Sequence, residues 1–221
     1  INCFKQSLLI DKYNEKAYFN LGSVYRSIKL FEEGVSLFEA ALKLFNSPNI
    51  LEVIYTNLSN LFLDIKGSQF GEDYSLVRNY SKKALDINAK NYIALNNLAM
   101  SNLFEMNYDL AASQLEDVIR SNPNFAAAHR NLGGLYNHLG KNELAEKYLK
   151  NSIKLEPTDV SKNFLLSEVL LSQNKFLEAW EYYEFRWIDT GDQPPKVKPN
   201  FTKPIWNPAM GYNTRLVIWA E

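Results

Sequence analysis

The sequence is poor in the residues that build covalent or metal chemistry. Its one cysteine, Cys3, has no partner for an internal disulfide and excludes a cysteine-built metal site. The two histidines, His129 and His138, are nine residues apart; on one helix that is about 900° of rotation, which sets them on opposite sides and keeps them from sharing a metal. Charge of one sign is also lacking. With 24 basic and 25 acidic side chains the net charge is −1, so no chain-wide field gathers nucleic acid or anionic lipid. No apolar run approaches the roughly 20 residues that a membrane helix needs. Gly133, Gly134 and Gly140 fall within or at the end of a helical pattern, not between a strand and a helix, so they imply no phosphate-cradling loop. The carboxylates Glu178, Glu181 and Glu184 form a solvated row at helical spacing, and nothing resembles a nucleophile with its base. A non-catalytic chain without cofactor or metal is expected, and the lone thiol fits a reducing, cytoplasmic setting.

What is present is repetition. Leu98, Leu132 and Leu166 are 34 residues apart, as are Ala111, Ala145 and Ala179, and Pro123 and Pro157. The text recurs as well: NLGSVY from Asn20, NLSNLF from Asn57, NLAMSN from Asn97 and NLGGLY from Asn131. Within a unit, His129, Leu132, Gly133 and Tyr136 fall at helical offsets, followed by Ala145, Leu149 and Ser152 on a second helix. The unit is a helical hairpin, with Gly140 placed to end its first helix in a left-handed conformation. Two positions that face each other hold mostly small residues: Gly22, Ser59, Ala99, Gly133 and Ser167 on the first helices, and Gly34, Val77, Ala111, Ala145 and Ala179 on the second. They let the paired helices approach closely. His129 occupies a packing position.

The stretch PNFAAAHRNLGGLYNHLGKNELAEKYLKNSIKLEP, Pro123 to Pro157, resembles the tetratricopeptide repeat (TPR), with His129 where tryptophan is usual and Ser152 where alanine is usual. The resemblance runs from the start to about Trp187 and implies an all-α superhelical solenoid of one truncated hairpin plus about five more. One unit departs from the norm: between Phe62 and Val77 it is six residues longer, which reads as an enlarged intra-repeat loop. Ile1 to Asp11 has the spacing of a second helix without its first, so that end should expose apolar surface, and self-association through exposed ends is one reading.

Stacked hairpins leave a concave surface lined by their first helices. The residue before each anchor leucine should face it: Asn20, Asn57, Asn97 and Asn131, with Leu165 breaking the series in the fifth unit. Amides can pair with successive peptide groups of an extended chain. The row is similar to the asparagine ladder of O-linked N-acetylglucosamine transferases, which implies an extended polypeptide ligand; polar residues on any exposed helical face are the plainer account. Phe19, Ile93, Met100 and Phe104 should add apolar anchors, and His138, near the turn, could touch a ligand. The carboxylate clamp of chaperone-binding domains needs basic groove residues, and Phe19 stands at such a place.

The pattern stops at residue 188. Proline and other breakers fill 188–214, as in a linker or arm, and Arg215 to Glu221 reads as a buried strand. EAWEYYEFRW from Glu178, KPIWNP from Lys203 and RLVIWAE from Arg215 are similar to the junction of bacterial TPR proteins that continue into a glycosyltransferase-like α/β domain. The expected organisation is a solenoid over 1–187, a linker over 188–214 and the first strand of a truncated domain over 215–221. The functional expectation is a protein- or peptide-binding module, either the substrate-recognition or scaffolding part of a longer glycosyltransferase-like protein or a stand-alone scaffold. Trp180 and Tyr183 are expected on the packing face of the last second helix.

Overall fold

The computed structural model describes residues 1–67, 73–157 and 161–187; the expected linker and strand lie outside the described residues. A single helix, α1 (Asn2–Ile10), precedes five hairpins. They are α2 (Glu15–Ser27) with α3 (Phe31–Leu42), α4 (Pro48–Lys66) with α5 (Ser75–Ile87), and α6 (Tyr92–Phe104) with α7 (Tyr108–Ser121). α8 (Ala126–His138) with α9 (Asn142–Leu155) and α10 (Ser161–Ser172) with α11 (Phe176–Tyr183) complete the set, and a 3-10 turn, Glu184–Trp187, follows. Each helix packs on the next, and successive first helices also touch one another, α2 on α4, α4 on α6, α6 on α8 and α8 on α10. The result is an all-α solenoid with first helices in one layer and second helices in the other.

Local chemistry sets the helix ends. Asn14 and Asn91 accept from the backbone amides of Ala17 and Ala94 at 3.1 and 2.9 Å, capping α2 and α6. Pro48 opens α4, where a missing amide hydrogen is harmless. Four of the hairpin turns share one device. Lys29, Met106, Gly140 and Asn174 all adopt positive φ, near 60–70°. The next residue then donates back across the turn, from Leu30, Asn107, Lys141 and Lys175 to the carbonyls of Tyr25, Asn102, Tyr136 and Leu170 at 2.8–3.0 Å.

The small residues lie where the helices come closest. A Cβ added to Gly22 would stand 2.3 Å from the Phe38 ring, and one added to Gly133 would stand 2.7 Å from the Leu149 side chain. In the second hairpin Ser59 replaces glycine and its hydroxyl shares a 2.7 Å hydrogen bond with Ser81. The apolar interior has two parts. Tyr18, Phe38, Ala41, Ile54, Leu58 and Leu61 form the first, and the second runs from Tyr74 and Val77 to Ala179.

Two expectations change. Part of the longer segment of the second unit is helix and not turn, because α4 (Pro48–Lys66) runs on through Ile65 and Lys66, two residues past the place where α6 ends in repeat register; its other additional residues, 48–51, precede that segment. Trp180 is 51% exposed rather than packed inward; it meets Tyr183 edge-on at 5.2 Å, while the smaller Ala179 takes the buried position.

Candidate peptide-binding face

The inner layer is identified by contacts that pass from one first helix to the next. Asn131 on α8 donates to Asn96 Oδ1 on α6 at 2.9 Å. Asn97 on α6 donates to Asn60 Oδ1 at 2.6 Å and to Ser59 Oγ at 3.2 Å on α4. A Cβ on Gly134 of α8 would meet Leu165 of α10 at 3.7 Å. Asparagine and leucine at the residue before the anchor therefore sit where neighbouring first helices touch.

The four expected amides differ in their freedom. Asn20 is exposed. Asn57 is half-buried and donates to the Val53 carbonyl of its own helix at 2.8 Å, and Asn131 is half-buried with its one bond to Asn96. Asn97 is 3% exposed and donates to two acceptors, so it fastens α6 to α4. An amide nitrogen carries two hydrogens; Asn57 and Asn131 each direct a bond to one internal acceptor.

The apolar members of the set are mostly interior. Phe19 is half-buried and stacks on Phe38 at 6.5 Å, and Ile93 is half-buried. Met100 and Phe104 are buried in the second core, where Phe104 stacks on Tyr74 at 5.1 Å. This corrects their expected place at the groove. Polar and apolar residues alternate all round α6, and a hairpin flanks it on each side, so even side chains turned inward are covered. His138 is exposed and its Nε2 lies 3.1 Å from the Tyr108 hydroxyl on α7, while His129 is buried with Nε2 2.9 Å from the Pro123 carbonyl. The two histidines are thus separated as the helical rotation requires.

Register adds residues that were not singled out from sequence. Glu168 on α10 follows Gly134 by one repeat length and so shares its inner position. The Glu168 carboxyl reaches solvent, yet partial burial pushes its pKa above the usual carboxylate value. Gly134 itself leaves the α8 backbone without a side chain between Arg130, which is exposed, and Leu165. Repetition could have located these residues, since each lies at a fixed offset from an anchor leucine.

Outside this face, Glu146 on α9 accepts from Lys150 at 2.8 Å, Gln173 at 3.0 Å and Lys175 at 2.6 Å, and Lys150 also reaches Glu178 at 2.6 Å. Burial acts to raise the Glu146 pKa, but these three donors outweigh it and hold it at about 2. The arrangement clamps the last two hairpins together and offers no acid-base chemistry. Among the described residues no cluster of histidine, cysteine, aspartate and glutamate could hold a metal ion, and no helix is long and apolar enough to cross a membrane.

Tetratricopeptide repeat sequence profiles match residues 96–160 and residues 15–48. No curated protein matches over the chain. Among solved structures, a thermophilic TPR protein of Thermus thermophilus, TTC0263, superposes with a TM-score of 0.63 at 22% identity, covering 77% of this chain and 88% of its own. The Cut9-Hcn1 APC/C hetero-tetramer superposes with a TM-score of 0.72 at 15% identity, covering 86% of this chain and 36% of that one. YrrB, described as a TPR protein with an unusual peptide-binding site, gives 0.50 at 16% identity, covering 82% of this chain and 89% of that one. Residues 15–48 and 96–160 thus match the tetratricopeptide repeat, and the fold is the TPR superhelical solenoid.

Proposed function

We propose that the inner face binds an extended segment of a partner protein, with amides pairing to its backbone. The observation that carries this reading is the exposure of Asn20 and the part-exposure of Asn57 and Asn131 at one repeat position of α2, α4 and α8, with hydrogen-bonding capacity beyond their internal contacts. Phe19 would supply an apolar contact at one end, and Arg130 and Glu168 would supply charges of both signs at the other. His138 would act at the turn edge. Peptide binding is also what the name of the YrrB structure records for that protein.

The test is calorimetry with a peptide selected from an unstructured library. Two lost hydrogen bonds of about 1 kcal/mol each make the Asn57→Ala/Asn131→Ala variant bind roughly 30-fold more weakly. Equal affinity, with the fold intact, removes the amides from the account.

We further propose that the solenoid is the substrate-recognition or scaffolding part of a longer, cytoplasmic glycosyltransferase-like protein, organised as 1–187, 188–214 and 215–221. Support comes from the sequence of the last forty residues alone. A glycine-rich turn followed by alternating strands and helices after Glu221 in the parent reading frame would bear this out; further hairpins would favour a scaffold with no enzyme attached.

A further inference from the structure

Most partly buried carboxylates of this solenoid have a partner. Glu52 accepts from Asn88 and Asn91, Glu116 from Tyr136, and Glu146 from Lys150, Gln173 and Lys175. Asp64, Glu105 and Glu178 meet Arg26, Arg78 and Lys150. Glu168 on α10 differs. Among the described residues no donor or cation pairs with it, although burial pushes its pKa above the usual carboxylate value. Its side chain is nevertheless exposed. A carboxylate that reaches water and is still partly desolvated lies in a recess rather than on a flat surface.

The neighbouring residues shape that recess. Leu165 and Glu168 are three residues apart on α10 and share one side of it. Gly134 of α8 stands across from Leu165, and a Cβ added to it would meet only the Leu165 side chain, at an ordinary 3.7 Å. The missing side chain leaves a notch between α8 and α10. Half-buried Leu165 forms its apolar wall, and Glu168 follows about 4.5 Å further along the helix axis. Exposed Arg130 stands one turn before Gly134 on α8.

We propose that this notch receives one lysine or arginine side chain of the bound segment, with its aliphatic stem on Leu165 and its cationic head on the Glu168 carboxylate. The proposal rests on the reading of the inner face as a peptide-binding surface and names the partner's chemistry: an extended segment with a single basic residue at this point. Long basic side chains carry an apolar stem that ends in a charge, which is the order of groups the notch presents. A bound apolar side chain would cover Glu168 and leave it unpaired, and an acidic one would add repulsion. Arg130 keeps the preference to one residue, because a run of basic residues would set like charges beside it. Glu168 is thereby the residue that discriminates between partners, while the amides hold any backbone alike.

The experiment is display selection of an unstructured peptide library on the 221-residue chain, followed by calorimetry with one selected peptide and a copy in which its basic residue is methionine. Selected peptides should share one lysine or arginine. The methionine copy should bind the parent chain about tenfold more weakly, the worth of one charge-assisted hydrogen bond, and should bind Glu168→Gln as tightly as the original peptide does. Glu168→Gln keeps the side chain's size at an exposed position, so the fold is not at stake. Selection on Glu168→Lys should exchange the shared basic residue for an acidic one. Two results overturn the inference and leave peptide binding standing: peptides that weaken on Asn57→Ala/Asn131→Ala but share no basic residue, or methionine copies that weaken equally on the parent chain and on Glu168→Gln. If no peptide is selected, or the amide variant binds the selected peptides as tightly as the parent does, the reading of the inner face fails and the notch fails with it.

Discussion

The two halves of this solenoid are held together by different means. From α2 to α4 the interior relies on large rings set against glycine: Phe38 fills the space above Gly22 and stacks on Phe19, and Tyr18 meets Phe45 edge-on at 5.7 Å. From α6 onward, alanines at the close contacts (Ala99, Ala111, Ala145 and Ala179) are wholly buried beneath leucines, and the Glu146 cluster clamps the outside. The halves meet within the second hairpin, where Ile54, Leu58 and Leu61 of α4 lie in the first core, Val77 of α5 lies in the second, and Phe62 packs on both. Polar contacts join it to the third hairpin. Asn88 and Asn91 donate to Glu52 at 2.8 and 2.9 Å, Asn97 binds Ser59 and Asn60, and Arg78 pairs with Glu105. In a linear array stability is close to a sum of units and their interfaces, so this joint decides whether the halves unfold together.

The largest effects should come from filling the close contacts. Gly133→Leu puts atoms where Leu149 already stands, its backbone nitrogen being only 3.2 Å from a Cβ there, and should destabilise by about 3 kcal/mol. Gly22→Leu should do the same to the other half against the Phe38 ring. Hydrogen exchange read helix by helix is the measurement: each variant should loosen its own half more than the other, and equal loosening throughout would show one cooperative body. Next in size is Asn97→Ala, which removes the donor to the half-buried Asn60 and one of the bonds of Ser59, whose bond to Ser81 remains, a loss of about 1–2 kcal/mol. Its expected signature is a single urea transition splitting into two.

Much of this comparison can be read in the sequence, because the repeat length states which residues share a position. The hairpins, the small residues at the close contacts and the burial of His129 follow from it. Periodicity at Gly140 also marks the left-handed turn; the same register marks Lys29, Met106 and Asn174, which lack glycine's freedom and adopt that conformation because the backbone bonds across the turn require it. The candidate site was less legible. Whether an asparagine faces solvent or a neighbouring helix depends on how far adjacent hairpins rotate, and Asn97 and Asn131 hold the same repeat position with different partners. Met100 and Phe104 are covered for a related reason: polar and apolar residues alternate all round α6, so its pattern marks no single inward face.

Acid should separate the halves. The Glu146 pKa is lowered from 4.5 to about 2, so its contribution is present above about pH 4.5 and is lost as pH falls toward 2. Partial exposure of its partners limits this to about 1–2 kcal/mol. The amides of α9 to α11 should therefore lose protection between about pH 4.5 and 2 before those of α2 and α3, and in Glu146→Gln the protection of α9 to α11 should already be low at pH 7 and fall less with acid.

The smallest effect tests the second half from the stabilising side. Gly134 neighbours Gly133 in sequence but faces the inner layer, where an added Cβ meets only Leu165 at an ordinary 3.7 Å. Its φ is not left-handed, so alanine fits, and relief of glycine's helical disadvantage should stabilise by roughly 0.5–1 kcal/mol. Gly134→Ala should raise protection in α8 to α11 while leaving α2 and α3 unmoved if the joint insulates the halves. Protection rising equally in both would show that Asn97 and its neighbours transmit stability across the joint, and the two cores would then count as one.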